Sequence, residues 1–141
     1  MSEFVLNDFI PYQLAALSEK ASREFSRFYR ERFGLSVTEW RVIANLSQAR
    51  GPVSVREINR QVAMEKSKVS RAATRLEKRG LVIKQQSRCD GRLVELSLSE
   101  KGRDIMQELT PIARDFEDSL LAPLGDDRDM FKAALGVLLA R

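Results

Sequence analysis

The chain has 141 residues, enough for one domain with its own core, and its 43% hydrophobic and 31% charged residues exclude global disorder. One cysteine and no histidine exclude an intramolecular disulfide, Ser-His and Cys-His catalytic pairs and most zinc sites. The net charge of +4 hides an asymmetry: Ser54 to Arg103 holds 13 basic and 6 acidic residues, and the rest of the chain 11 and 14.

The N-terminus, MSEFVLNDF, lacks a basic start followed by an apolar run, and no segment is apolar for the length of a bilayer. The expectation is a cytoplasmic protein with no membrane partner. A first helix is predicted from about Asn7 to Phe33, with Ile10, Leu14, Leu17, Ala21, Phe25 and Phe28 at spacings of three and four. Pro11 is tolerated only in a first turn, so the helix can start at Ile10 or Pro11 after a separate short turn. Gly34 stops it.

Ser36-Val37-Thr38-Glu39 has capping-box spacing and opens a second helix, with Trp40, Ile43, Ala44 and Leu46 inward, ending before Gly51-Pro52. Ser54-Val55-Arg56-Glu57 repeats the spacing and opens a short third helix, with Val55, Ile58 and Val62 inward. A turn near Ala63-Met64 leads into Glu65 to Gly80. On a wheel of roughly 100° per residue, the small residues Val69, Ala72, Ala73 and Leu76 share one sector of this fourth helix. Ser67, Arg71, Thr74 and Lys78 lie opposite, flanked by Lys68, Ser70 and Arg75. A small back lets a helix sit close on its neighbours, and the front is then hydroxyls and cations.

The period next becomes twofold. Leu81 to Lys84 is a predicted strand, Ser87 to Arg92 a turn with Asp90-Gly91 at its tip, and Val94, Leu96 and Leu98 mark the inward face of a second strand. Ser99 caps a fifth helix striped with Ile105, Leu109, Ile112, Phe116 and Leu120, which Pro111 should bend or locally break. Pro123 and Gly125 end it. A last helix is predicted from about Asp126 to Ala140, carrying Met130, Phe131, Ala134, Leu135 and Leu138.

Tandem short helices followed by a hairpin read as a winged helix-turn-helix, in a mainly α chain with a small β-hairpin (α+β). The basic middle suits a polyanion, although a solvated charged surface has the same composition. In a major groove Arg can reach guanine O6 and N7, Ser and Thr can touch bases or phosphates, and Lys suits phosphates. Arg88 and Arg92 at the hairpin tip are suited to a narrow minor groove, and Asp90 is placed to orient Arg92. The outer helices carry more Phe, Leu and Ile than the basic middle can cover, which points to a second copy of the chain.

The run Asp90-Gly91-Arg92-Leu93-Val94-Glu95-Leu96-Ser97-Leu98-Ser99-Glu100-Lys101-Gly102 resembles the wing of the MarR family of winged helix-turn-helix transcriptional regulators, with Ser99 where Thr is more usual. Leu76-Glu77-Lys78-Arg79-Gly80-Leu81-Val82 and Thr38-Glu39-Trp40-Arg41-Val42 are also similar to that family. The resemblance implies a single domain over 1–141, with a DNA-binding region at 36–99 and N- and C-terminal dimerisation helices at 1–35 and 100–141. It implies a homodimeric, sequence-specific regulator on a pseudo-palindromic operator, usually a repressor, released by a small aromatic or acidic effector. Carried over by position, Ser67, Lys68, Ser70, Arg71, Thr74 and Arg75 face the major groove, and Arg92 enters the minor groove, braced by Asp90.

For an effector pocket, Tyr12, Phe28, Phe33, Trp40 and Arg41 are candidates between the first and second helices, core packing being the other reading. Cys89 beside Arg88 is expected to be an exposed thiol without a redox role. No cofactor or metal is expected, and no catalytic constellation is visible. The alternative function is a winged-helix protein-interaction module without specific DNA binding.

Overall fold

The computed structural model of the chain describes residues 3–62 and 64–140. A 3₁₀ turn at Leu6–Asp8 precedes α1 (Ile10–Phe33), so the helix starts at the position that Pro11 demands, one residue before the ring. It is followed by α2 (Val37–Gln48), β1 (Val53–Ser54), α3 (Val55–Val62), α4 (Lys66–Lys78), β2 (Val82–Gln86), β3 (Val94–Leu98) and α5 (Glu100–Leu121). A 3₁₀ stretch at Ala122–Asp127 leads to α6 (Arg128–Leu139), which begins two residues later than expected because Gly125 turns the backbone at φ 56°. Of the expected turn at Ala63-Met64, Ala63 lies outside the described residues.

The chain divides into two compact units, residues 26–110 and residues 1–25 with 111–141. The boundaries read at 36 and 99 both fall inside the first of these.

Residues 26–110 hold nearly all of the buried apolar side chains. Val69, Ala72, Ala73 and Leu76 of α4 are each fully buried, as are Val42 and Ile43 of α2, Ile58 of α3 and Leu96 of β3. Two alanines on the back of α4 let its backbone approach its neighbours closely, and replacing Leu76 by Ala is worth about 2–5 kcal/mol. The capping box at Ser36 and Glu39 is complete. The one at Ser54 is half made: the Glu57 N–H donates to Ser54 Oγ at 3.1 Å, while the Glu57 carboxylate takes a bond from Gln61 at 3.2 Å and an ion pair with Arg60 at 3.4 Å.

The hairpin becomes a three-stranded antiparallel sheet in the order β1-β3-β2. Val53 pairs with Leu96 and Ser54 with Glu95, so the two residues that lead into α3 also clip it to the wing. A two-residue strand has no period to read, which is why it escapes the sequence pattern. The expected Leu81–Lys84 strand starts one residue later and runs to Gln86, because Leu81 is spent closing α4. Gly80, at φ 75°, donates to the Glu77 carbonyl, and Leu81 N–H donates to the Leu76 carbonyl at 2.9 Å, a Schellman closure.

Ser99 joins three elements. Its hydroxyl donates to the Gly80 carbonyl at 2.6 Å and accepts from Gly102 N–H at 3.1 Å, while its own N–H donates to Leu81 O at 3.1 Å. Gly102 packs against the Leu81 carbonyl, where a Cβ would overlap the oxygen and stand 3.1 Å from Leu98 Cδ2. Pro111 does not break α5, which continues through it to Leu121. Thr110 Oγ1 donates to Met106 O at 2.7 Å in the same turn.

In residues 1–25 and 111–141, Arg128 pairs with Asp118 and Lys132 with Glu117, both at 2.6 Å, tying α6 to α5. The Phe25 and Phe116 rings lie 5.2 Å apart. Most other apolar residues there face outward: Phe4, Ile10, Leu14, Leu17, Met130, Val137, Leu138 and Leu139 are all exposed.

Gly102→Ala should destabilise the protein by about 1–3 kcal/mol in urea unfolding, the usual cost of forcing a methyl group into packed space. Gly91→Ala, where a Cβ meets nothing within 4 Å, should leave the midpoint close to that of the parent.

Candidate nucleic-acid interface

With its back against α2 and α3, α4 turns its polar residues outward. Ser67, Lys68 and Arg71 are exposed, and Arg71 makes no ion pair or hydrogen bond among the described residues. Ser70 and Thr74 are half-buried. Thr74 Oγ1 donates to Ser70 O at 3.1 Å and accepts from Lys84 Nζ at 3.3 Å, so its hydroxyl is already engaged. Arg75 pairs with Glu39 at 3.8 Å. Of the six recognition-helix residues chosen from sequence, four are therefore uncommitted and two are held by neighbours.

The wing tip is built from short polar bonds. Ser87 Oγ accepts from Cys89 N–H and Asp90 N–H, both at 3.2 Å, and Ser87 N–H donates to Leu93 O at 2.9 Å. Asp90 Oδ1 accepts from Arg92 N–H at 3.0 Å and lies 3.7 Å from Arg92 Nε. The carboxylate thus braces the backbone and side chain of the same arginine, while the guanidinium stays in solvent at 95% exposure. Arg88 and Cys89 are exposed beside it.

Between α3, α4 and the wing runs a groove of about 590 Å³. Its walls include Arg56, Lys66, Lys84 and Arg92, with no carboxylate among the lining residues. Three of these cations escaped the sequence reading. Lys84 was recoverable: in a strand it shares a face with Val82, which is buried, and so must turn toward α4. A second hollow of about 380 Å³ lies where the end of α2 meets β3 and α5, lined by Arg50 and Arg103 together with Leu46, Leu98 and Met106.

The architecture matches known proteins. Residues 33–93 fit the model of the MarR family. A MarR family transcriptional regulator from Silicibacter pomeroyi DSS-3 is 31% identical, with a TM-score of 0.78, over 97% of this chain and 97% of that one. The chain belongs to the MarR family. The HTH-type transcriptional regulator SarZ of Staphylococcus epidermidis is 25% identical over 114 residues, 79% of this chain and 76% of SarZ. BpsR of Bordetella bronchiseptica, whose DNA binding is regulated by 6-hydroxynicotinic acid, shares the fold at a TM-score of 0.83 and 18% identity, covering 99% of this chain and 100% of BpsR. This MarR-family chain is accordingly a winged-helix transcriptional regulator. Among the described residues no helix is long and apolar enough to cross a membrane.

The five effector candidates differ in burial. Trp40 is half-buried and stacks on Tyr29, with ring centroids 5.5 Å apart. Burial pushes the Tyr29 phenol above its ordinary range, with Arg30 and Arg41 pulling the other way. Phe33 and Arg41 are half-buried, and Phe28 is exposed. Tyr12 is exposed and lies in the other unit. None of the five lines either of the two hollows above.

Asp90→Ala should speed amide hydrogen exchange at Arg92, whose N–H loses its acceptor, while the urea midpoint stays within error because the pair is exposed. Unchanged exchange at Arg92 would remove the brace from the account of the wing.

Proposed function

We propose that the protein acts as a homodimer on a pseudo-palindromic operator, as a repressor of the genes beside it, in the cytoplasm. The observation that carries this reading is the front of α4, where Ser67, Lys68, Ser70 and Arg71 continue into a groove walled by Arg56, Lys66, Lys84 and Arg92 without an acid. The front of α4 enters the major groove, with Arg71 on base edges and Lys68 on phosphate. Arg92, aimed by Asp90, enters the adjacent minor groove, and Arg88 adds a backbone contact.

Dimerisation is supported by the outward apolar residues of α1 and α6. Ile10, Leu14, Leu17, Met130 and Leu138 are too many for a monomer surface and recur at helical spacing. Two recognition helices then meet half-sites about one duplex turn apart, roughly 34–36 Å. An aromatic or acidic small molecule releases the DNA by favouring a dimer that no longer fits both half-sites. The regulation of BpsR by an aromatic acid supports that chemistry, and the hollow lined by Arg50 and Arg103 together with Leu46, Leu98 and Met106 offers both cations and apolar surface to receive it.

Arg71→Ala and Arg92→Ala should each weaken binding to a duplex selected by the wild-type protein from a random-sequence pool, by about tenfold or more, with helix content unchanged. Fluorescence anisotropy across salt concentrations should give a steep slope of log affinity against log salt, roughly −0.9 for each phosphate neutralised. Failure to select any sequence, with only weak and indifferent binding, would leave a protein-interaction module as the better account.

A further inference from the structure

Glu39 reads from sequence as the far half of a helix cap, and the cap needs only one of its oxygens. Oε1 accepts from Ser36 N–H at 2.9 Å. Oε2 lies 3.8 Å from Nε of Arg75, on the recognition helix. The Glu39 side chain is 7% exposed and that of Arg75 51%. A glutamine would cap equally well, so the charge on this buried group has to be accounted for by something else. Arg75 is the cation facing it.

Arg71 and Arg75 stand one turn apart on α4, and with Ser70 and Thr74 they wall a shallow hollow on the helix front. They differ in their tethering. Arg71 has no partner among the described residues, whereas Arg75 is approached by a carboxylate on its Nε edge while about half of its side chain stays exposed. An untethered arginine is attracted to any phosphate. A tethered one has part of its charge balanced, and less rotamer freedom to lose on binding.

We propose that Glu39 is a positioning residue for DNA recognition. It holds the Arg75 guanidinium by its Nε edge, so that Arg75 contributes to discrimination between sequences and adds little to indiscriminate affinity. Selectivity is a difference of affinities, and suppressing the wrong complexes raises it as surely as strengthening the right one. The inference rests on the reading that the α4 front faces DNA.

The test compares binding to a selected duplex and to a scrambled duplex of the same composition. Glu39→Gln keeps the cap and removes the charge. It should bind the scrambled duplex about 3- to 10-fold more tightly and reduce selectivity by about tenfold. Its salt slope should steepen by roughly 0.9 per guanidinium released. Arg75→Lys keeps a cation but loses the fork, and should lose selectivity in a protein whose fold is not at risk. In an Arg75→Ala background, Glu39→Gln should change nothing further. Ser36→Ala, which weakens the cap and spares the ion pair, should lower stability and leave selectivity unmoved. Unchanged selectivity in Glu39→Gln, or the same change with Arg75 absent, would overturn the proposal. If Arg71→Ala also left binding intact, the docking of α4 would be what had failed.

Discussion

How closely α4 can approach α2 and α3 decides what the rest of residues 26–110 can do. Val69, Ala72, Ala73 and Leu76 have no accessible surface, and the two alanines add almost no thickness between backbones. A leucine in place of either would lift the helix by an ångström or more, in a core that tolerates little extra volume. Because α4 is seated this deeply, its front residues start from a fixed rod, and the wing is held to that rod through Gly80, Ser99 and the close approach of Gly102 to Leu81. A DNA-reading surface needs this kind of backing, since base contacts tolerate little positional freedom.

Charge is arranged around this seat with restraint. The groove between α3, α4 and the wing collects cations, and two carboxylates of the same unit are set against particular arginines. Asp90 braces Arg92, and Glu39 faces Arg75. At the other end of α4, the Arg79 guanidinium donates to the carbonyls of Phe33 at 2.6 Å and Gly34 at 3.3 Å. That places a cation on the C-terminal carbonyls of α1, where the helix dipole favours it. The corner between α1 and α2 and the C-terminal half of α4 are therefore joined by two arginines.

Much of this was legible in the residues. Capping boxes fixed the start of α2, and Pro11 fixed the start of α1, because both act within one helical turn. The small stripe of α4 fell on its buried side residue for residue. The brace between Asp90 and Arg92 follows from their spacing of two in a turn. What escaped was set by contacts distant in sequence. Strand β1 exists because Val53 meets Leu96, and neither residue signals the other. Pro111 was read as a bend or local break, and α5 continues through it without a break. Glu39 looked fully explained by its cap, and its second oxygen gains meaning only from Arg75, 36 positions later. The aromatic residues chosen for an effector were the least readable, because a ring such as Trp40, stacked on Tyr29, serves packing as readily as a ligand.

The sole cysteine offers a direct measurement. Cys89 is exposed at the wing tip, next to the two arginines assigned to the DNA backbone and minor groove. An iron chelate attached to it generates hydroxyl radicals that cut DNA only within a short radius. On an end-labelled duplex selected by the protein, two clusters of cuts should appear, related by the twofold symmetry of the sequence and flanking half-sites about one turn apart. Scattered cutting no different from that of the free chelate, or a single cluster without a symmetry mate, would contradict a dimer that lays both recognition helices and both wings on one duplex.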